Sequence, residues 1–173
     1  MKKSILVVLI FTGLLYLSAC SEEKETDTVF HVSFDEVAGF CNHAAIVSNT
    51  LSHSGLKCVQ LNPDMVYGPT FSRKIGEVIT FQPKRIKVRA YVRLDSPSSV
   101  VKLVCSIDND SSKTIFWNAL DSKSANLKAG NWEILEGVFE VAGKNQPGYK
   151  FNLYPMYDKG GNILVDDLTF SFE

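Results

Sequence analysis

The chain has 173 residues, 45% of them hydrophobic, with 18 basic and 19 acidic side chains and a formal net charge of −1. This length suits one domain with a real core. A near-neutral balance leaves no electrostatic footprint for a nucleic-acid partner.

The first segment does not belong to that domain. Lys2 and Lys3 precede an apolar stretch from Ile5 to Leu17, too short to cross a bilayer comfortably as a helix but suited to the charged and apolar regions of a secretory signal. It ends in Leu17-Ser18-Ala19-Cys20, which resembles the lipobox of bacterial lipoproteins. The resemblance implies cleavage after residue 19 and lipid attachment at Cys20. Residues 20–28 then form a polar tether with no apolar period, expected to be flexible. Ser21 directly after the cysteine is similar to an outer-membrane address in such lipoproteins. Glu22 and Glu23 resemble surface-export signals, although they also suit a plain solvated linker. Lys2 and Lys3 are the only charges in residues 1–19, so without that segment 16 basic and 19 acidic residues remain, a net of −3.

From Val29 onward the pattern is alternation with period two, broken by Gly, Pro, Asn, Asp and Ser, which reads as strands and turns. The first candidates are VFHVSF, GLKCVQL and a run from about Met65 to Phe81. The clearest is RIKVRAYVRL. There Ile86, Val88, Ala90, Val92 and Leu94 share a core face, while Arg85, Lys87, Arg89, Tyr91 and Arg93 face water or a ligand. VVKLVCSI follows, with Val101, Leu103, Cys105 and Ile107 inward, then KTIFWNAL, WEILEGVFEV, GYKFNLYPM and ILVDDLTFSF. Nine or ten short strands at regular spacing, with no helical period and no internal repeat, predict one β-sandwich domain over residues 29–173.

Once Cys20 is set aside, Cys41, Cys58 and Cys105 remain. An oxidising compartment allows one bridge. Cys105 reads as a small buried hydrophobe, which leaves Cys41–Cys58 as the expected pair, with three free thiols as the alternative.

Four stretches together resemble the jelly-roll carbohydrate-binding modules and related galactose-binding-domain-like sandwiches: VSFDEVAGF, SHSGLKCVQL, GNWEILEGVFEV and ILVDDLTFSF. They cover nearly all of residues 29–173. The opening departs from the family pattern, with Ser33 before the Phe and Asp35 in place of Glu. The resemblance implies a structural calcium ion, a hard cation with oxygen ligands, and by position it implies Asp35 and Asp166 as acidic ligands. Strand phase puts Asp166 on the core face with Leu164, Leu168, Phe170 and Phe172, and Asp167 outward. A carboxylate on a core face needs a cation or several donors, so backbone N–H groups holding Asp166 without metal are the alternative.

The resemblance also implies glycan binding, which combines an aromatic platform with a few polar groups. Tyr91 among Arg89 and Arg93 is one candidate set. Trp117 is another, although a tryptophan in such a strand more often fills the core. Asn152 and Tyr154 share a face, and Tyr67 lies in the loop sequence YGPTF. Trp132 reads as structural. Of His31, His43 and His53, none belongs to two zinc-like pairs, and no nucleophile, metalloprotease or phosphate-loop motif occurs. The expectation is a non-catalytic glycan-binding lipoprotein, anchored by its lipid in the outer membrane with its domain at the cell surface. The alternative is a protein-interaction or adhesin module in an envelope complex.

Overall fold

The computed structural model describes residues 28–36, 41–42, 45–48 and 51–173. The signal segment, Cys20 and nearly all of the tether lie outside the described residues. The elements are β1 (Val29–Val32), β2 (Cys41–Asn42), β3 (Ile46–Ser48), β4 (Lys57–Leu61), β5 (Thr70–Lys74), α1 (Ile75–Val78), β6 (Arg85–Leu94), β7 (Val100–Asp108), β8 (Thr114–Asp121), β9 (Trp132–Glu140), β10 (Lys150–Lys159) and β11 (Ile163–Phe172). Every described strand pairing is antiparallel.

Two sheets form a jelly-roll β-sandwich. One runs β3-β4-β11-β6-β9 with β1 also paired to β11, and the other runs β2-β5-β10-β7-β8. The alternation in β6 places Ile86, Val88, Ala90, Val92 and Leu94 in the core, and Val101, Leu103, Cys105 and Ile107 of β7 face them from the other sheet. Both sets match the sequence reading. Aromatic rings from the two sheets interlock between them: Phe170 lies 4.7 Å from Phe71 and Phe172 lies 5.2 Å from Phe151, each edge to face. Such pairs add about 0.5–1.5 kcal/mol beyond the area they bury. The run from Met65 to Phe81 is not one strand, because β5 passes into the short helix α1.

β11 organises the six-stranded sheet. One edge pairs with β6 along almost its whole length. The other edge is shared: β4 pairs with Ile163–Val165 and β1 with Leu168–Ser171. Between them the β6 register shifts, with Asp166 opposite Tyr91 and Thr169 opposite Arg89. Three steps on β11 thus match two on β6, which is a β-bulge. Asp167 takes the extra step in the left-handed region, at φ 46°, a conformation that Asp tolerates better than most residues.

The bulge overturns the expected phase of this strand. Ile163 and Val165 point inward before it, and Leu168, Phe170 and Phe172 point inward after it. Asp166 therefore shares the outer face with Leu164, opposite Tyr91, and not the core face. A period-two count across Asp166 and Asp167 fails because the bulge inserts one residue.

The expected Cys41–Cys58 bridge is not made. Cys58 and Cys105 are free and buried. Cys58 lies on the outer side of β4, since Val59 and Leu61 face the core, whereas Cys41 belongs to a strand of the other sheet. The side chain of Cys41 is outside the described residues. Burial pushes the Cys58 thiol up to about 11, helped by Asp166 and Asp35, and pushes Cys105 up to about 12. Neither thiol is ionised at neutral pH, so neither is poised as a nucleophile.

Candidate functional site

The candidate residues fall on the two opposite outer faces of the sandwich. Trp117, Asn152, Tyr154 and Tyr67 gather on the five-stranded sheet. Tyr91, Arg89 and Arg93 lie on the six-stranded one.

On the five-stranded face, alternation along β10 turns Phe151 and Leu153 into the core and leaves Asn152 and Tyr154 outside. The register then sets the row Ser72–Asn152–Ser106–Trp117 across β5, β10, β7 and β8. The row beside it is Tyr154–Val104–Ala119. Tyr67 enters from a segment that continues alongside β10 where β5 has not yet begun. Gly68 N–H donates to the Pro155 carbonyl at 2.9 Å, and Tyr157 N–H donates to the Val66 carbonyl at 2.7 Å. Gly68 makes this approach possible, because a Cβ there would stand 2.6 Å from the Pro155 ring. Pro155, which has no N–H to offer, is tolerated on an inner strand because β5 does not reach it.

The result is an aromatic wall beside a polar ladder. The Tyr67 and Tyr154 rings meet at 6.1 Å, edge to face, and the Tyr154 hydroxyl lies beside Trp117. Burial pushes the Tyr154 phenol up, so it stays neutral and able to donate. Trp117 is 53% exposed and Tyr67 61%. Trp117 therefore does not fill the core. Its neighbour on the floor, Val104, is fully buried although it points outward. Beside the rings, Ser72 Oγ donates to Asn152 Oδ1 at 2.6 Å, and Asn152 Nδ2 donates to Asp108 Oδ2 at 3.0 Å and Ser106 Oγ at 3.3 Å. Thr114 Oγ1 donates to the other Asp108 oxygen at 2.6 Å. These bonds hold the polar groups in fixed orientations beside the rings. Sequence reading missed Ser72, Ser106, Asp108 and Thr114, since no local pattern separates them from ordinary strand and turn residues. Only the cross-strand register reveals them.

On the six-stranded face, the segment 52–57 folds over β11 and is held by three aspartates. Asp166 is fully buried. Its Oδ2 accepts from the N–H groups of His53 at 2.9 Å and Ser54 at 3.3 Å, and its Oδ1 accepts from Asp167 N–H at 2.8 Å. Burial pushes the Asp166 carboxyl up, and these donors partly offset it. Asp167 reaches the same segment through its side chain, taking Ser54 Oγ at 2.7 Å and contacting His53 Nδ1 at 2.7 Å, with His31 Nε2 at 3.4 Å. Burial alone would push Asp167 up, but the bonds from His53 and Ser54 prevail and hold it below the usual carboxylate range. Asp35 Oδ1 accepts from Leu56 N–H at 2.7 Å and Lys57 N–H at 3.0 Å.

The HSG turn is explained residue by residue. The His53 ring stacks on Tyr91 at 3.5 Å and meets Trp132 edge to face at 5.6 Å. Ser54 supplies two donors to the aspartates. Gly55 sits at φ 57°, and a Cβ there would collide with the Asp35 carboxylate at 1.7 Å. Tyr91 is thus roofed by His53 and flanked by Arg89, whose guanidinium lies 5.4 Å from the ring. It is part of a structural clasp and not an open sugar platform. Trp132 is structural as expected, its indole N–H donating to the Leu51 carbonyl at 2.9 Å.

The calcium expected at Asp35 and Asp166 meets an unsuitable donor set. Both Asp166 oxygens face N–H groups, which stand where a cation would need space and would repel it. Among the described residues, no group of three or more His, Cys, Asp or Glu side chains is arranged to hold a metal.

No protein-family model matches the chain, and no curated protein sequence matches it. Solved structures do. The C-terminal family 22 carbohydrate-binding module of Clostridium thermocellum Xyn10B aligns over 83% of this chain and 91% of that module, with TM-score 0.59 and 10% identity. The CBM22-1 xylan-binding domain of Paenibacillus barcinonensis Xyn10C aligns over 84% of this chain and 95% of that domain, with TM-score 0.53 and 16% identity. The xylan-binding module CBM15 aligns over 84% and 97%, with TM-score 0.52 and 14% identity. At these identities the likeness is one of fold.

Proposed function

We propose that this chain is a non-catalytic glycan-binding module that takes a neutral polysaccharide on the outer face of its five-stranded sheet. The observation that carries this reading is the aromatic wall of Tyr67, Tyr154 and Trp117 beside the ordered ladder Ser72–Asn152–Asp108–Thr114. Apolar sugar faces stack on such rings, and preset amide, hydroxyl and carboxylate groups read the hydroxyls without first reorganising. The shared fold with xylan-binding modules supports β-linked pentose or hexose backbones as the first polysaccharides to try. No nucleophile or acid–base pair enters this reading.

Together with the lipobox-like Leu17–Cys20, this describes a lipoprotein held by its lipid in the outer membrane, with the sandwich presented to glycans at the cell surface. Retardation of the full chain in gels containing xylan, mannan or β-glucan tests the binding. Retardation by at least one polysaccharide, lost in Trp117→Ala and Tyr154→Ala, is the expected result. If none retards the chain while it captures an envelope protein, the interaction-module reading replaces this one. Cys20→Ala is expected to abolish metabolic labelling with palmitate and to release the chain from the membrane fraction.

A further inference from the structure

We propose that the six-stranded face carries a second, separate binding site, one for a carboxylate-bearing sugar residue, centred on Arg93. The antiparallel registers place Gln60, Leu164, Arg93 and Trp132 in one row across β4, β11, β6 and β9. Leu51 lies over the row, its carbonyl taken by the Trp132 indole at 2.9 Å. Where this cover ends, a depression of about 300 Å³ opens, lined by Leu51, Gln60, Arg93, Asp95, Asn162 and Leu164. That volume is on the scale of the smallest ligand pockets, room for one sugar unit.

Arg93 sets the chemistry. It is half-buried, and among the described residues it forms no ion pair and no hydrogen bond, unlike Arg85 and Arg89 on the same strand, which meet Glu173 and Glu136. A guanidinium offers five donors in a planar fork and accepts nothing, and a carboxylate is the group that matches two of those donors at once. The acid lining the depression, Asp95, is already engaged: Oδ1 accepts from Ser99 Oγ at 2.8 Å and Oδ2 from Asn162 N–H at 2.7 Å. It makes no ion pair with Arg93, so the fork keeps its donors for a ligand. The Gln60 and Asn162 amides, 3.5 Å apart, supply donors and acceptors for hydroxyl groups, and Leu51 and Leu164 supply an apolar surface for a ring face. A carboxylate for the fork, hydroxyls for the amides and a ring for the leucines together describe a uronate. This site shares no residue with the proposed neutral-polysaccharide face, so either can fail alone.

Calorimetric titration of the full chain with trigalacturonate tests the proposal. Binding is expected to weaken at least tenfold in Arg93→Gln and to stay unchanged in Trp117→Ala. The wild-type chain is expected to discriminate by itself, since the methyl-esterified trisaccharide lacks the charge and should compete at least tenfold less well. Equal binding of acid and ester, no binding of either, persistence of binding in Arg93→Gln, or its loss in Trp117→Ala would each overturn the site.

Discussion

Trp117 stands half out of the edge strand β8, and on that exposure the neutral-glycan reading turns. A ring set beside Tyr154 on a rigid strand loses little entropy when a ligand covers it. Trp117→Ala should therefore cost about 2 kcal/mol of binding, the scale of an aromatic hot spot, while the melting temperature hardly moves because the side chain is not in the core. Affinity electrophoresis beside thermal unfolding separates the two effects. Asp166 presents the opposite case. It touches no ligand face, yet Asp166→Ala leaves the His53 and Ser54 N–H groups without their acceptor, and a loss of about 3 kcal/mol in urea unfolding is expected. Since N–H groups hold this carboxylate, the loss should be the same in calcium and in chelator. A wild-type melting temperature that rises with calcium and falls with chelator, absent in Asp166→Ala, would instead establish the metal.

The HSG turn and the bulge in β11 act as one element. Gly55 lets segment 52–57 pass over the Asp35 carboxylate at a positive φ. Gly55→Ala combines a backbone penalty with a collision and should destabilise by about 2 kcal/mol, measurable by urea unfolding. Asp167 holds the other side of the clasp, and its carboxyl lies below the usual range. Its contribution is therefore complete above an ordinary Asp pKa of about 3.9 and fades as pH falls through the lower folded value. Asp166 has the opposite sign, because its raised pKa makes the folded state the better proton acceptor. The stability gap between wild type and Asp167→Asn should thus close as pH falls below about 4. A gap that persists in full at about pH 2 would show that Asp167 is not the clasp's charged member.

At the scale of the whole molecule, the two outer faces differ in what they expose. The five-stranded face exposes aromatic rings, while the six-stranded face is covered along its middle by segment 52–57. The core between them is continuous, with rings from both sheets in contact. Unfolding should accordingly be one cooperative transition, and variants on either face should leave binding on the other untouched. The double variant Trp117→Ala with Arg93→Gln tests this, with additive losses as the expected outcome.

The long strands, the inward faces of β6 and β7 and the single-sandwich architecture were legible in the sequence because alternation is local: each residue of β6 and β7 declares its face relative to its neighbours. The fate of Asp166 and Asp167 was not, since a bulge depends on what β6, β4 and β1 do beside β11. The same holds for the candidate site. Asn152 and Tyr154 could be placed on one face from their own strand, but their meeting with Ser72, Trp117 and Tyr67 depends on register between strands far apart in the chain. So does the separation of Tyr91 from that group. The sequence by itself determined where the long strands lie and, within an unbroken strand, which side is apolar, through the two-residue period of the extended backbone. Only the tertiary structure decided which polar and aromatic residues share a surface, because long-range pairing and one inserted residue settle that, and neither has a local signature.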